Sequence, residues 1–419
     1  MTRVSERLPS SPGLFGWWRD ADVHARRALI AGTLGWMLDA FDVMLFALVL
    51  PALSADLGLS KADGGLLGSV TLIAAAVGGV SFGWIADRFG RTRALMLSVA
   101  LYSVFTAACG LAGSLAQFVV FRILLGLGMG GEWTSGAALV SEAWPSEHRG
   151  KALGFMQSGW AVGYAGAALV NGFVQPAFGW RAVFFVGILP AFFTLWIQRR
   201  VREPEIWTAT ARAAAPSPGL RSIVRGPLAP VTILLTLMNT CTLFAWWGFN
   251  LWLPSYLRAP GTQGGIALSP GAVSGFVFFM QIGMWFGYVT FGFVSDVIGR
   301  KRTYVVYLLT AAALLFVYVS VRVPIVLLVL GPFVAFFATG YFSGFGAVTA
   351  ELYPTAIRAT AQGFTYNIGR VVSAAAPLAV GSLAQTHGFG QALLLCSGAF
   401  VLAALTWVWI PETRGRALT

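Results

Sequence analysis

GWIADRFGRTR, residues Gly83–Arg93, and GFVSDVIGRKR, residues Gly292–Arg302, are one segment written twice, 209 positions apart. The same interval carries Glu142, Pro145 and Arg149 onto Glu351, Pro354 and Arg358. Only 11% of the 419 residues are charged, so charged motifs do not fall into register over half a chain by accident. A duplicated unit of about 210 residues explains the interval. In a membrane protein, such duplication predicts two related bundles about a pseudo-two-fold axis and a transport function.

The chain is 57% hydrophobic with a mean hydropathy of +0.75. A soluble fold cannot hide that much apolar surface, and a membrane span takes roughly 20 apolar residues. Irregular backbone at membrane depth leaves amides without partners, so the long apolar runs must be helices. Twelve spans are predicted, near 27–52, 64–86, 94–113, 116–141, 150–173, 180–198, 229–257, 270–295, 303–321, 324–350, 359–384 and 389–410. The expected fold is an all-α membrane protein of twelve transmembrane helices in two pseudo-symmetric six-helix bundles. Its parts are a tail (1–26), a first bundle (27–198), a linker (199–228), a second bundle (229–410) and a short tail (411–419). Residues 1–26 lack the apolar core of a cleaved signal peptide, which predicts insertion through the first span.

The net charge of +12 raises nucleic acid as a partner, but its distribution argues for topology instead. With both termini cytoplasmic, 22 of the 28 Lys and Arg fall on cytoplasmic segments, four outside and two (Arg122, Arg370) within spans. That is the positive-inside asymmetry, and it predicts a multi-pass protein of the cell (inner) membrane. The three cysteines lie in apolar spans without metal-ligand spacing, and no GxxxxGK[ST] loop is present, so neither a cofactor nor ATP-driven pumping is expected. Three histidines and no nucleophile–base constellation argue against an enzyme. Tails and a linker this short argue against a membrane sensor with a signalling domain.

At the cytoplasmic ends of the spans, Asp87, Arg91, Glu142 and Arg149 are expected to form an ion-pair network. Asp296, Arg300, Glu351 and Arg358 form its copy. Such a network can lock one arrangement of the bundles and release another; the plainer alternative is that these charges mark helix ends and hold topology.

Here the residues resemble a known family. GxxADRxGR and its diverged copy look like the loop signature of the major facilitator superfamily. RILLGLGMGGEW (Arg122–Trp133), with Glu142-x-x-Pro145 and Arg149-Gly150, resembles its acid–proton symporter branches. GWRAVFFVGILP (Gly179–Pro190) and GFTYNIG (Gly363–Gly369) look like the sialate–proton symporter group, which includes lactate and pyruvate permeases. Val297 stands where the first copy has Arg88, which implies a weaker second network. The resemblance implies alternating access, with spans 1, 4, 7 and 10 lining a central cavity.

Of the 16 acids, only Asp39, Asp42 and Glu132 lie well inside spans. A charge in lipid is costly and usually faces a cavity or partner. Asp39 follows Arg27 by 12 residues, roughly 18 Å along a helix, and Asp42 shares its face. Carboxyl groups in partly dry cavities are suited to exchange protons near neutral pH, so Asp39, Asp42 and Glu132 are the expected proton-coupling groups. The Asp-x-x-Asp of LDAFD resembles the first-span pair of aromatic-acid symporters. The alternative is that these acids are structural, bonded to helix neighbours.

Arg370 lies 12 residues past Arg358, again roughly 18 Å into its span, with no acid of the second half at that depth. A guanidinium there offers a planar fork for a carboxylate. Arg370 is expected to bind a substrate anion, with Tyr366 and Asn367 supplying hydrogen bonds; an ion pair with Asp39 or Asp42 is the alternative. Arg122 is a second candidate, with a snorkelling structural role as its rival. By resemblance, Asn239 and Asn250 of the seventh span are candidate ligands, while Trp246 and Trp247 are either cavity or interfacial belt.

The function read from the sequence is proton-coupled symport of a small organic anion by a monomer in the lipid bilayer. A monocarboxylate such as lactate or pyruvate is favoured; an aromatic, sugar or dicarboxylic acid is the alternative, and a neutral-substrate facilitator the second.

Overall fold

Serines and aspartates in the loops start the helices, and glycines stop them. Asp22 accepts from Ala25 N at 2.6 Å, Ser60 and Asp63 form a reciprocal capping box, and Ser114 and Ser269 cap the helices that follow them. In this computed structural model, residues 16–19, 21–144, 148–203, 221–354 and 357–414 are described. Every regular element among them is helical.

The first lobe holds α1 (Val23–Leu57), α2 (Lys61–Phe89), α3 (Arg91–Cys109), α4 (Leu115–Ala143), α5 (Arg149–Val186) and α6 (Leu189–Arg200). The second holds α7 (Ala229–Arg258), α8 (Pro270–Ile298), α9 (Arg300–Ser320), α10 (Pro324–Thr339), α11 (Phe345–Leu352), α12 (Arg358–Ser373), α13 (Ala375–His387) and α14 (Phe389–Thr406). Most of the expected linker, residues 204–220, lies outside the described residues.

Eleven helical runs among the described residues are long and apolar enough to cross a membrane. One of them, Lys151–Ile197, has 47 residues. At 1.5 Å per residue that is about 70 Å of chain, more than twice a ~30 Å hydrocarbon core. The chain breaks out of helix at Gly179, where φ is 78°. From there Arg181 lies beside Gly110 at one end of the bundle, and Glu203 meets Arg91 at the other. The run therefore crosses twice, which brings the crossings to twelve.

Two crossings are less regular than the sequence suggests. The tenth passes from α10 through a 3-10 turn at Gly340–Gly344 into α11. The eleventh bends at Ala374, between α12 and α13. Pro377 has no N–H to offer the carbonyl of Ser373, so the ladder lapses one turn earlier. That bend leaves Arg370 in the last turn of α12.

The lobes meet along α1 with α7, α2 with α13, and α5 with α8. These pairings are exchanged by the pseudo-two-fold axis, as the duplication predicts. Large apolar side chains such as Ile73, Phe173, Ile233 and Phe333 stay exposed on the outside, where a bilayer would cover them. The protein is a multi-pass integral membrane protein.

Close helix approach rests on particular glycines. A Cβ on Gly163 of α5 would run into the carbonyl of Met37 on α1, and one on Gly130 of α4 into that of Ala75 on α2. Without a hydrophobic drive between helices in lipid, such close packing is what holds the lobe together. Gly163→Val should therefore lower the melting temperature of the purified protein by several degrees. Gly154→Ala, on the same helix with nothing near its added carbon, should leave it unchanged in the same thermal size-exclusion assay.

Candidate functional site

Five ionisable side chains from three helices are buried at the core of the lobe interface. Asp39, Asp42 and Glu132 are 0% exposed, Arg122 and Arg370 2%. Asp39 and Asp42 share one face of α1, three residues apart. Glu132 approaches that helix because Gly35 has no side chain: a Cβ there would sit 2.5 Å from the Glu132 carboxyl. Asp39 lies within electrostatic reach of both Arg370 and Glu132, and Asp42 of Arg122 and Asp39.

None of these five forms an ion pair within 4.0 Å among the described residues, and no carboxyl oxygen of Asp39, Asp42 or Glu132 has a hydrogen-bond partner in the protein. Arg370 Nε is also without an acceptor. The structure thus gathers Asp39, Glu132 and Arg370 around one point, with Asp42 and Arg122 on the side away from the charged motifs.

Around that point the walls are aromatic. Tyr366 lies under the Arg370 guanidinium, 5.8 Å from ring centre to charge. It stacks on Trp133 of the other lobe at 4.9 Å and 17°. Trp133 neighbours Trp36, which packs on Trp160 at 4.6 Å; Trp160 in turn meets Trp246 at 5.5 Å and Trp247 at 6.2 Å across the interface. The indole N–H groups of Trp36, Trp160 and Trp246 have no acceptor in the protein. Trp246 and Trp247 are 4% and 6% exposed, so they line the interior rather than an interfacial belt.

The amides divide by use. Asn239 is 4% exposed with its Oδ1 unbonded, against Gly369 of α12. Asn250 and Asn367 both donate to their own helices, to Trp246 O at 3.0 Å and Gly363 O at 2.9 Å. Sequence reasoning passed over Trp36, Trp133 and Trp160. Their signal was position: a tryptophan at mid-span, beside a buried acid, is too deep for the belt at the membrane surface.

At the motif end each lobe carries its own ion pairs. Arg91 reaches Glu142 at 2.9 Å. Arg300 meets Asp296 at 2.6 Å and Glu351 at 3.2 Å. The side chains of Asp87, Arg149 and Arg358 are outside the described residues. Two further acids complete the pattern. Glu203 accepts from the amides of Arg91 and Thr92 at 2.7 and 3.0 Å. Glu412, 209 positions on, accepts from those of Arg300 and Lys301 at 2.8 and 3.1 Å. Each carboxylate thereby caps the positive end of a helix. The motif glycines make this possible: Gly90 and Gly299 sit at φ 112° and 100°, and a Cβ on either would strike the capping carboxylate.

Among the described residues, two hydrogen bonds between lobes lie toward the other end, Lys61 Nζ to Ala384 O at 3.1 Å and Asn171 Nδ2 to Ser274 Oγ at 3.1 Å, and a longer one, Tyr164 Oη to Asn250 O at 3.5 Å, lies nearer mid-span. The motif-end ion pairs each stay within one lobe.

Partial burial pushes the Glu412 carboxyl up, but the amides of Arg414, Arg300, Lys301 and Thr413 outweigh it and hold the group below the usual glutamate range. A depressed value stabilises the fold above the unfolded group's pKa of about 4.5 and loses that contribution as pH falls through the folded value. Glu412→Gln should accordingly lower the melting temperature near pH 7, and the gap to wild type should close progressively below about pH 4.5.

The Major Facilitator Superfamily profile matches residues 32–288 and 262–419. A protein of Cupriavidus pinatubonensis named "Probable 4-methylmuconolactone transporter" is 34% identical over 413 residues, covering 97% of this chain and 95% of that one. The niacin transporter of Acinetobacter baylyi is 30% identical over 418 residues, covering 92% and 93%. Among solved structures, a D-xylose-proton symporter superposes with a TM-score of 0.76 at 22% identity, over 94% of this chain and 100% of that one.

Proposed function

The chain belongs to the major facilitator superfamily and is a transporter, not an enzyme; from that premise we propose that it carries a small ring-bearing organic acid together with protons. The observation that carries this reading is the pairing of the unbonded Nε of Arg370 with an aromatic cluster of Tyr366, Trp133, Trp36 and Trp160. Arg370 takes the carboxylate as a fork, and the aromatic faces take the ring. Lactate or pyruvate, the monocarboxylates favoured by the sequence, would leave those faces bare. The relatives named for 4-methylmuconolactone and niacin also support a ring acid.

Charge balance supports proton coupling. Across the whole lobe interface, three buried carboxyls against two buried guanidiniums leave one negative charge in excess, so a neutral interface retains one proton. A bound carboxylate adds a second negative charge and calls for a second proton. The loaded chamber is then neutral and can pass between the two access states, whereas an anion without its proton cannot. Asp39, between Arg370 and Glu132, is the group we take to exchange the coupling proton. Asn239 is a further ligand, and Arg91–Glu142 and Arg300–Glu351 act as gates within the lobes.

By the positive-inside count, the motif end and both termini face the cytoplasm of the inner membrane. Lobes bonded at the opposite end then correspond to a state closed to the outside, with the Trp133–Tyr366 stack covering the chamber from within. The working unit is a monomer.

The test is uptake into proteoliposomes of labelled nicotinate, gentisate, lactate and xylose, with and without an imposed inward proton gradient. Ring acids should accumulate only with the gradient, and xylose not at all; uptake indifferent to the gradient would point to a facilitator. Arg370→Ala should abolish acid binding. Asp39→Asn should keep exchange but lose accumulation, while Trp133→Leu should weaken nicotinate about tenfold and spare any residual lactate uptake.

A further inference from the structure

Arg122 sits apart from the central chamber. It lies seven residues into α4 from the end opposite the motifs, about 10 Å of helix, whereas Arg370 lies 17 residues, about 25 Å, from the same end of its span. Its Nε donates to Thr71 Oγ1 at 2.8 Å and its guanidinium lies 4.2 Å over the Phe46 ring. Its Nη1, buried with the rest of the side chain, has no partner in the protein. Arg122 and Thr71 line a small cavity, about 10 Å³ with the lobes in contact, whose other walls include Val43, Met44 and Leu72 from the first lobe and Trp247, Leu251 and Pro377 from the second.

We propose that Arg122, Thr71 and this cavity form a second carboxylate site, distinct from Arg370, at which the acid docks from the side opposite the motifs before moving inward. The proposal rests on the reading of the chain as an organic-acid transporter. Three observations support it. First, Arg122 keeps a buried donor, Nη1, that no protein group satisfies, beside a cavity that it lines, and a carboxylate is an acceptor that would satisfy it. Second, the remaining walls are apolar, which suits the hydrocarbon body of an acid whose carboxylate is held by the fork.

Third, both lobes contribute walls, so the site is shut while the lobes touch at this end and opens when they part. Neighbouring groups from each packed element are Asp42 on α1, Thr71 on α2, Thr106 and Cys109 on α3, and Trp247 on α7. The charges run Arg122, Asp42, Asp39, Arg370, each within electrostatic reach of the next, so the two acids lie between the two arginines. Those acids must be protonated for a carboxylate to pass, which ties the inward step to proton binding.

The experiment is labelled nicotinate transport measured from each face separately, in proteoliposomes sorted by orientation. Arg122→Ala should raise the half-saturating concentration about tenfold or more at the face opposite the motifs. At the motif face the value should stay within about twofold, and Arg122→Lys should recover part of the loss because a point charge remains. A change of equal size at both faces, or a fall in maximal rate alone, would mean that Arg122 is a packing residue and would overturn the site. Should Arg122→Ala fail to fold, Thr71→Val interrogates the same cavity: a one-sided increase upholds the proposal and unchanged values at both faces reject it. If the wild-type protein transports none of the panel acids, the organic-acid reading fails first and this site falls with it.

Discussion

Ionisable groups shut away from water without an ion-pair partner among the described residues are the constraint around which the rest of the molecule is arranged. An uncompensated charge in a low-dielectric interior costs several kcal/mol, and here five such groups share one region with no ion pair within 4.0 Å among them. They are tolerable together because their charges nearly cancel, three carboxyls against two guanidiniums. In the proposed mechanism protons and cargo set the remainder, so that binding chemistry and proton chemistry become one electrostatic problem. A structure that had paired Asp39 with Arg370 at contact distance would leave that guanidinium less able to take a ligand.

The frame that holds this region is duplicated down to its helix caps. Gly90 and Gly299 adopt backbone angles that favour glycine, and the space where a side chain would stand is filled by Glu203 and Glu412. Each lobe thus ties the start of its third helix to the end of its sixth, and Arg91 or Arg300 extends the tie to the fourth through Glu142 or Glu351. Both clamps are internal to a lobe.

The frame was legible in the sequence because it rests on strong periodic signals: apolar runs, a 209-residue interval and charges at helix ends. The buried acids and Arg370 were legible for a related reason, since a charge at mid-span is rare enough to stand out. The aromatic walls were not. Tryptophans in an apolar helix carry no periodic mark, and Trp36, Trp133 and Trp160 become one surface only when three helices of one lobe converge. The bends at Gly340–Gly344 and Ala374 were missed because an apolar run reads as unbroken helix, although Pro377 was the clue to the second. The caps at Glu203 and Glu412 stand at the same 209-residue interval, but their partners, 112 and 111 residues away, carry no mark in the sequence.

The chemistry, by contrast, breaks the symmetry of the frame. Carried forward by the same interval, Arg122 falls on Gly331 and Glu132 on Tyr341, while Asp39 and Asp42 fall on Gly248 and Leu251. Carried back, Arg370 falls on Ala161. All three acids therefore belong to the first lobe and the central guanidinium to the second. In the proposed mechanism their mutual attraction acts across the interface that has to open, so a change in protonation or occupancy would alter the force between the lobes directly. Had the acids and Arg370 sat on the same lobe, their interaction would travel with that lobe and could not sense which way the transporter faces. The division of charge between two copies of one scaffold is thus the arrangement that a proton-driven rocking motion would need.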